Sequence, residues 1–62
     1  MTIHEALTVM DLTGKDLSRL SVDGIRSLIV STKWELSHCN IYERGKYKRE
    51  LEALNVLLSA AE

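Results

Sequence analysis

Proline and phenylalanine are both absent from this chain of 62 residues, and cysteine occurs once. Without proline, every residue keeps the backbone donor that a helix interior requires. A single cysteine excludes an internal disulfide, and a thiol-poor chain fits a reducing compartment. The three aromatics, Trp34, Tyr42 and Tyr47, are too few to fill a core, which must then be aliphatic. An excess of one charge is missing as well: 8 Lys and Arg stand against 9 Asp and Glu, for a net charge of -1. That balance exerts no general pull toward nucleic acid or an anionic membrane. No apolar run approaches the roughly 20 residues of a membrane span. The opening MTIHEALTVMDLTGK has neither a basic start nor a continuous apolar stretch, so it does not read as a signal peptide. The expectation is one small soluble domain, 1–62, in the cytoplasm with no membrane association. So short a chain sits near the lower limit for independent folding. With disulfides excluded and metal ligands scarce, regular helix packing and self-association are the remaining supports.

What the sequence does contain is helical periodicity. Thr2 and Glu5 have capping-box spacing, and Ile3, Ala6, Leu7 and Met10 follow at helical intervals. This predicts a helix over 2–12, ended by Thr13-Gly14. The next stretch, KDLSRL, reads equally as a helical turn or a loop. Ser21 is an N-cap candidate with Asp23 in the first turn. From there Val22, Ile25, Leu28, Ile29, Thr32, Leu36 and Cys39 share one face, predicting a helix over 21–44 with Asn40 and Gly45 as candidate stops. A third helix over 46–61 carries Tyr47, Leu51, Leu54, Leu57, Leu58 and Ala61 in a stripe. Lys46–Glu50 and Lys48–Glu52 stand at i,i+4 ion-pair spacing. No period-2 alternation argues for strands. The fold class is therefore all-α: an antiparallel helical hairpin with a short additional N-terminal helix, open to pairing as a dimeric bundle.

The long helix has a second apolar stripe. At about 100° per residue, Val30, Trp34 and Ile41 lie roughly opposite the Ile25–Leu36 face, with His38 among them. A simple hairpin buries one stripe per helix, so the second needs a cover. Either the N-terminal helix packs there, setting Trp34 against Ile3, Leu7 or Met10; or the stripe meets a second copy or a protein partner, for which Trp is a typical anchor; or Trp34 is simply exposed, without consequence.

The stretch SHCNIYERGKYKREL holds most of the reactive side chains. His38 and Cys39 are adjacent, and helical phase turns them about 100° apart. Cys39 continues the buried stripe as a small hydrophobe rather than an exposed nucleophile. His4, His38 and Cys39 have none of the spacings that zinc sites use. Thr13-Gly14-Lys15 and Gly45-Lys46 lack the first glycine of a phosphate-binding loop. The chain reads as non-enzymatic, with no catalytic residue, metal or cofactor. Arg44, Lys46, Lys48 and Arg49, with Tyr42 and Tyr47 between them, offer a basic cluster that Glu43, Glu50 and Glu52 largely neutralise.

In size and layout, IRSLIVSTKWELSHCNIYERGKYKRELEALNVLL resembles the small accessory proteins of lambdoid phage early regions. The shared traits are those of a short, cysteine-poor, helical chain with no enzyme motif. The resemblance implies an early protein that acts in the host cytoplasm and modulates host or phage processes by binding proteins. The sequence thus leads to a protein-binding regulator, homo-oligomeric or bound to another protein. Its contact residues are Val30, Trp34, His38 and Ile41, with a charged rim at Arg44, Lys46, Lys48 and Arg49. The alternative is a small nucleic-acid-binding regulator using the basic segment 44–49.

Overall fold

A computed structural model describes residues 1–62, apart from the side chain of Leu17. Among the described residues the chain forms four helices and no strand: α1 (Ile3–Val9), α2 (Gly14–Arg19), α3 (Val22–His38) and α4 (Arg44–Ala61). The fold is all-α, and α3 and α4 pack on each other as the hairpin.

The helix starts follow from short polar side chains. Thr2 is extended and its Oγ1 accepts the Glu5 N–H at 3.1 Å, which opens α1. Ser21 does the same for α3, accepting the Gly24 N–H at 3.0 Å. Between them Thr13 caps α2, and the KDLSRL stretch is helical up to Arg19. The Asp16 carboxylate accepts both the Thr13 N–H, at 2.9 Å, and the Thr13 hydroxyl, at 3.0 Å. Thr13 Oγ1 in turn accepts the Asp16 N–H at 3.3 Å, a reciprocal capping box.

Two helix ends differ from the expected ones. The first helix closes at Val9 instead of 12, and Gly14 opens α2 rather than ending α1. Asp11, with φ 56°, supplies the left-handed residue for which Gly14 is the obvious candidate in the sequence. The Leu12 N–H then reaches the Leu7 carbonyl at 2.8 Å and the Asp11 N–H reaches that of Thr8 at 3.1 Å, a Schellman closure. The long helix closes at His38, well before 44. One of its last carbonyls is taken by a side chain, the Cys39 thiol donating to Leu36 O at 3.3 Å, and one turn earlier the Ser37 hydroxyl donates to Lys33 O at 3.1 Å. Cys39 is extended, and Asn40 Oδ1 accepts the Glu43 N–H at 3.1 Å, starting the turn that leads into α4. Gly45 therefore does not break a helix. It lies within α4, which begins at Arg44.

The core is Ala6, Ile25, Ile29, Ala53, Leu54 and Leu57, flanked by partly buried residues including Leu7, Leu12, Leu20, Leu51, Val56 and Leu58. Its membership explains the arrangement. Ile25 and Ile29 give α3 one buried stripe, while α4 carries Leu54 and Leu57 beside Ala53. The central helix is α4, because α1 and α3 both pack against it. Ala6 on α1 and Ala53 on α4 are completely buried, small side chains that let helices approach closely. Leu28, expected on the buried face, stands at its edge and is 37% exposed.

Candidate interaction surface

Because α3 turns Ile25, Ile29 and Thr32 inward, helical phase directs Val30 and Trp34 outward. Val30 is 68% exposed and Trp34 58% exposed. The N-terminal helix does not cover them: α1 lies against α4, so the expected contact of Trp34 with Ile3, Leu7 or Met10 is replaced by an open face.

Trp34 is nevertheless held. The His38 ring stacks on it one turn later, with centroids 4.0 Å apart and planes inclined by 16°. His38 Nδ1 lies 2.8 Å from the Trp34 carbonyl oxygen. A carbonyl can only accept, so Nδ1 carries the proton that makes this bond and Nε2 is the ring nitrogen left facing solvent. Ile41, which the sequence places on the same helical stripe, instead sits in the turn after α3 and is 74% exposed. Beside it is Tyr42, at 92% the most exposed of the large apolar side chains described. The sequence groups Tyr42 with the basic cluster. Its place next to Ile41 depends on where α3 stops.

Cys39 is half-buried, and its thiol is engaged by Leu36 O. Tyr47, at the start of α4, is also half-buried. Burial, then the carboxylates of Glu35, Glu43 and Glu50 and the Cys39 thiol, raise its phenol above the ordinary value of 10.0. Among the described residues no three His, Cys, Asp or Glu side chains gather to hold a metal ion. No described helix is long and apolar enough to cross a membrane.

The basic cluster opens α4 and is exposed throughout. The two expected ion pairs, Lys46–Glu50 and Lys48–Glu52, do not form. The one ion pair among the described residues is Arg26–Glu62, at 3.6 Å between exposed side chains. Lys46 lies over the Tyr47 ring instead, 5.5 Å from its centroid. Long exposed side chains gain too little from a surface pair to hold one geometry. Helical phase also spreads the four cations around α4, with Arg44 and Lys48 near one direction and Lys46 and Arg49 turned well away from it. Lys46 and Arg49 border a shallow groove of about 420 Å³ against α1, together with His4, Glu5, Thr8, Val9 and Glu50. That groove is not legible in the sequence, since it exists only because α1 docks on α4. In comparisons with family models, curated proteins and solved structures, nothing matches this chain.

Proposed function

We propose that this chain is a non-enzymatic protein-binding regulator that docks the outer face of α3 against a protein partner. Trp34 is the anchor, Val30, His38 and Ile41 surround it, and Arg44, Lys46, Lys48 and Arg49 form a charged rim. What supports the reading is the exposure of a Trp whose neighbour His38 is already stacked on it. Tryptophan is a common centre of binding energy in interfaces, because it brings a large area with few rotatable bonds. A surface ordered before contact loses less freedom on binding. Following the resemblance of residues 25–58 to lambdoid phage early-region accessory proteins, the partner is a host or phage protein in a bacterial cytoplasm.

Affinity capture from bacterial lysate, run in parallel with the wild-type chain and Trp34→Ala, tests this reading. A specific partner held by the wild type should be lost from Trp34→Ala by about tenfold or more, since anchor truncations cost about 2 kcal/mol or more. Circular dichroism should show the variant's helices intact. Equal capture by both chains removes the proposal.

The nucleic-acid reading of segment 44–49 draws support from the cations' lack of ion pairs, but their spread around α4 opposes it. Salt-sensitive binding of short DNA or RNA, lost when Lys46, Lys48 and Arg49 are changed to Ala, would favour it instead.

A further inference from the structure

The outer face of α3 carries its own complement. Its exposed residues, by helical phase, are Asp23, Ser27, Val30, Ser31, Trp34 and His38. The carboxylate stands at one end, the imidazole at the other, and the bulky ring lies on one side of the centre with a serine on the other. We infer that this face pairs with the same face of a second copy, α3 antiparallel to α3, about a two-fold axis between Val30 and Ser31.

In that register Asp23 meets His38 of the second copy at both ends, and each Trp34 lies over the other chain's Ser27, a residue small enough to receive it. Val30 and Ser31 flank the axis. A parallel pair would set Asp23 on Asp23, His38 on His38 and Trp34 on Trp34, matching like charge with like and bulk with bulk. A self-complementary patch is what a two-fold interface requires. On one flank Arg26 approaches Lys33 of the second copy, a like-charge contact that weakens the pair at low salt and is screened at higher salt.

The surface area points the same way. The chain exposes 4451 Å², whereas a compact monomer of its 7.0 kDa mass exposes about 4,000 Å². Its radius of gyration is 11.3 Å, against about 10.6 Å for a compact domain of this length. The excess of roughly 400 Å² per chain, covered on two copies, gives an interface of roughly 800 Å². That lies below the roughly 1,200–2,000 Å² of stable specific interfaces, so the pair is weak and concentration-dependent. The inference rests on the outer face of α3 being a docking surface. It adds that a partner must displace a second copy to reach Trp34.

Sedimentation equilibrium from about 10 µM to about 1 mM should show the wild-type mass rising from one chain toward two. Trp34→Ala and Ser27→Glu should both weaken the pairing by about tenfold or more while keeping wild-type helicity. Ser27 is exposed, so its change tests the face without touching the core. The register is read by spin-label distances in a Cys39→Ser background. Antiparallel pairing places labels at Ser37→Cys farther apart than labels at Lys33→Cys, by up to about 12 Å, which is twice the helical rise over four residues. Equal separations at the two positions overturn it, as does a Ser27→Glu chain that pairs like the wild type. If the wild type stays monomeric at about 1 mM while Trp34→Ala still loses its captured partner, self-pairing is overturned and the docking reading stands. If Trp34→Ala changes neither mass nor capture, both fall.

Discussion

Asp11 shows how one residue can settle a chain path. It is the only non-glycine residue described with positive φ, and a left-handed position costs an L-residue with a side chain about 1–2 kcal/mol, less for Asp than for most. Its carboxylate also sits at the C-terminus of α1, where the helix dipole disfavours negative charge. Asp11→Gly removes both penalties while keeping the Leu12-to-Leu7 closure. The variant should be more stable by about 1 kcal/mol, raising the thermal midpoint by roughly 4–8 °C in a melting experiment. Asp16 acts in the opposite sense. Hydrogen bonds from the Thr13 backbone and hydroxyl favour its ionised form and hold its carboxyl below the ordinary 3.8. A folded value under the unfolded one means that the cap contributes fully above pH 3.8 and is lost as pH falls through the lower folded value. An NMR titration should place the Asp16 midpoint below that of a free aspartate, and Thr13→Ala should move it back up. A midpoint unmoved by Thr13→Ala would contradict the capping box.

At the scale of the element, α4 is the least locally consistent helix. It opens with Arg44, Gly45 and Lys46, cations at the positive end of the dipole, and Glu43 makes no side-chain cap. Gly45 adds a glycine to the first turn, with nothing within 4 Å of where a Cβ would stand. Gly45→Ala should therefore stabilise the chain by about 0.5–1 kcal/mol, measured by urea unfolding. Destabilisation would mean that Gly45 needs a conformation only glycine adopts. The same weak start explains why this boundary is hard to read from the residues. A glycine after Arg44 resembles a helix stop, and the true reversal is made earlier by Cys39 and Asn40, whose roles depend on local hydrogen bonds. The Thr2 and Ser21 caps are legible because a hydroxyl before an apolar-periodic run satisfies an orphan donor whatever the tertiary context.

Across the whole molecule, α4 binds the fold together by burying residues against both α1 and α3. Ala53, like Leu54 and Leu57, has no exposed surface. Ala53→Leu would force extra volume into that contact, costing about 1–3 kcal/mol. A chain of this length has a total stability of roughly 3–9 kcal/mol, so the loss should appear as a clear drop in urea midpoint. An unchanged midpoint would mean that α1 can be displaced without consequence. Trp34, by contrast, lies outside the core and is exposed.

The sequence alone determined that the chain is helical, which residues cap α1 and α3, and that α3 carries two apolar faces. Each of these follows from interactions within a turn or two, or from a fixed angle per residue. It also turned Trp34 and His38 to the same side, because four residues nearly complete a helical turn. Only the tertiary structure decided that α1 packs on α4 and leaves Trp34 uncovered. Two apolar stripes were available to the N-terminal helix, and periodicity does not rank them. The close approach allowed by Ala6 and Ala53, two alanines that no pattern marks as special, is a property of helices already in contact.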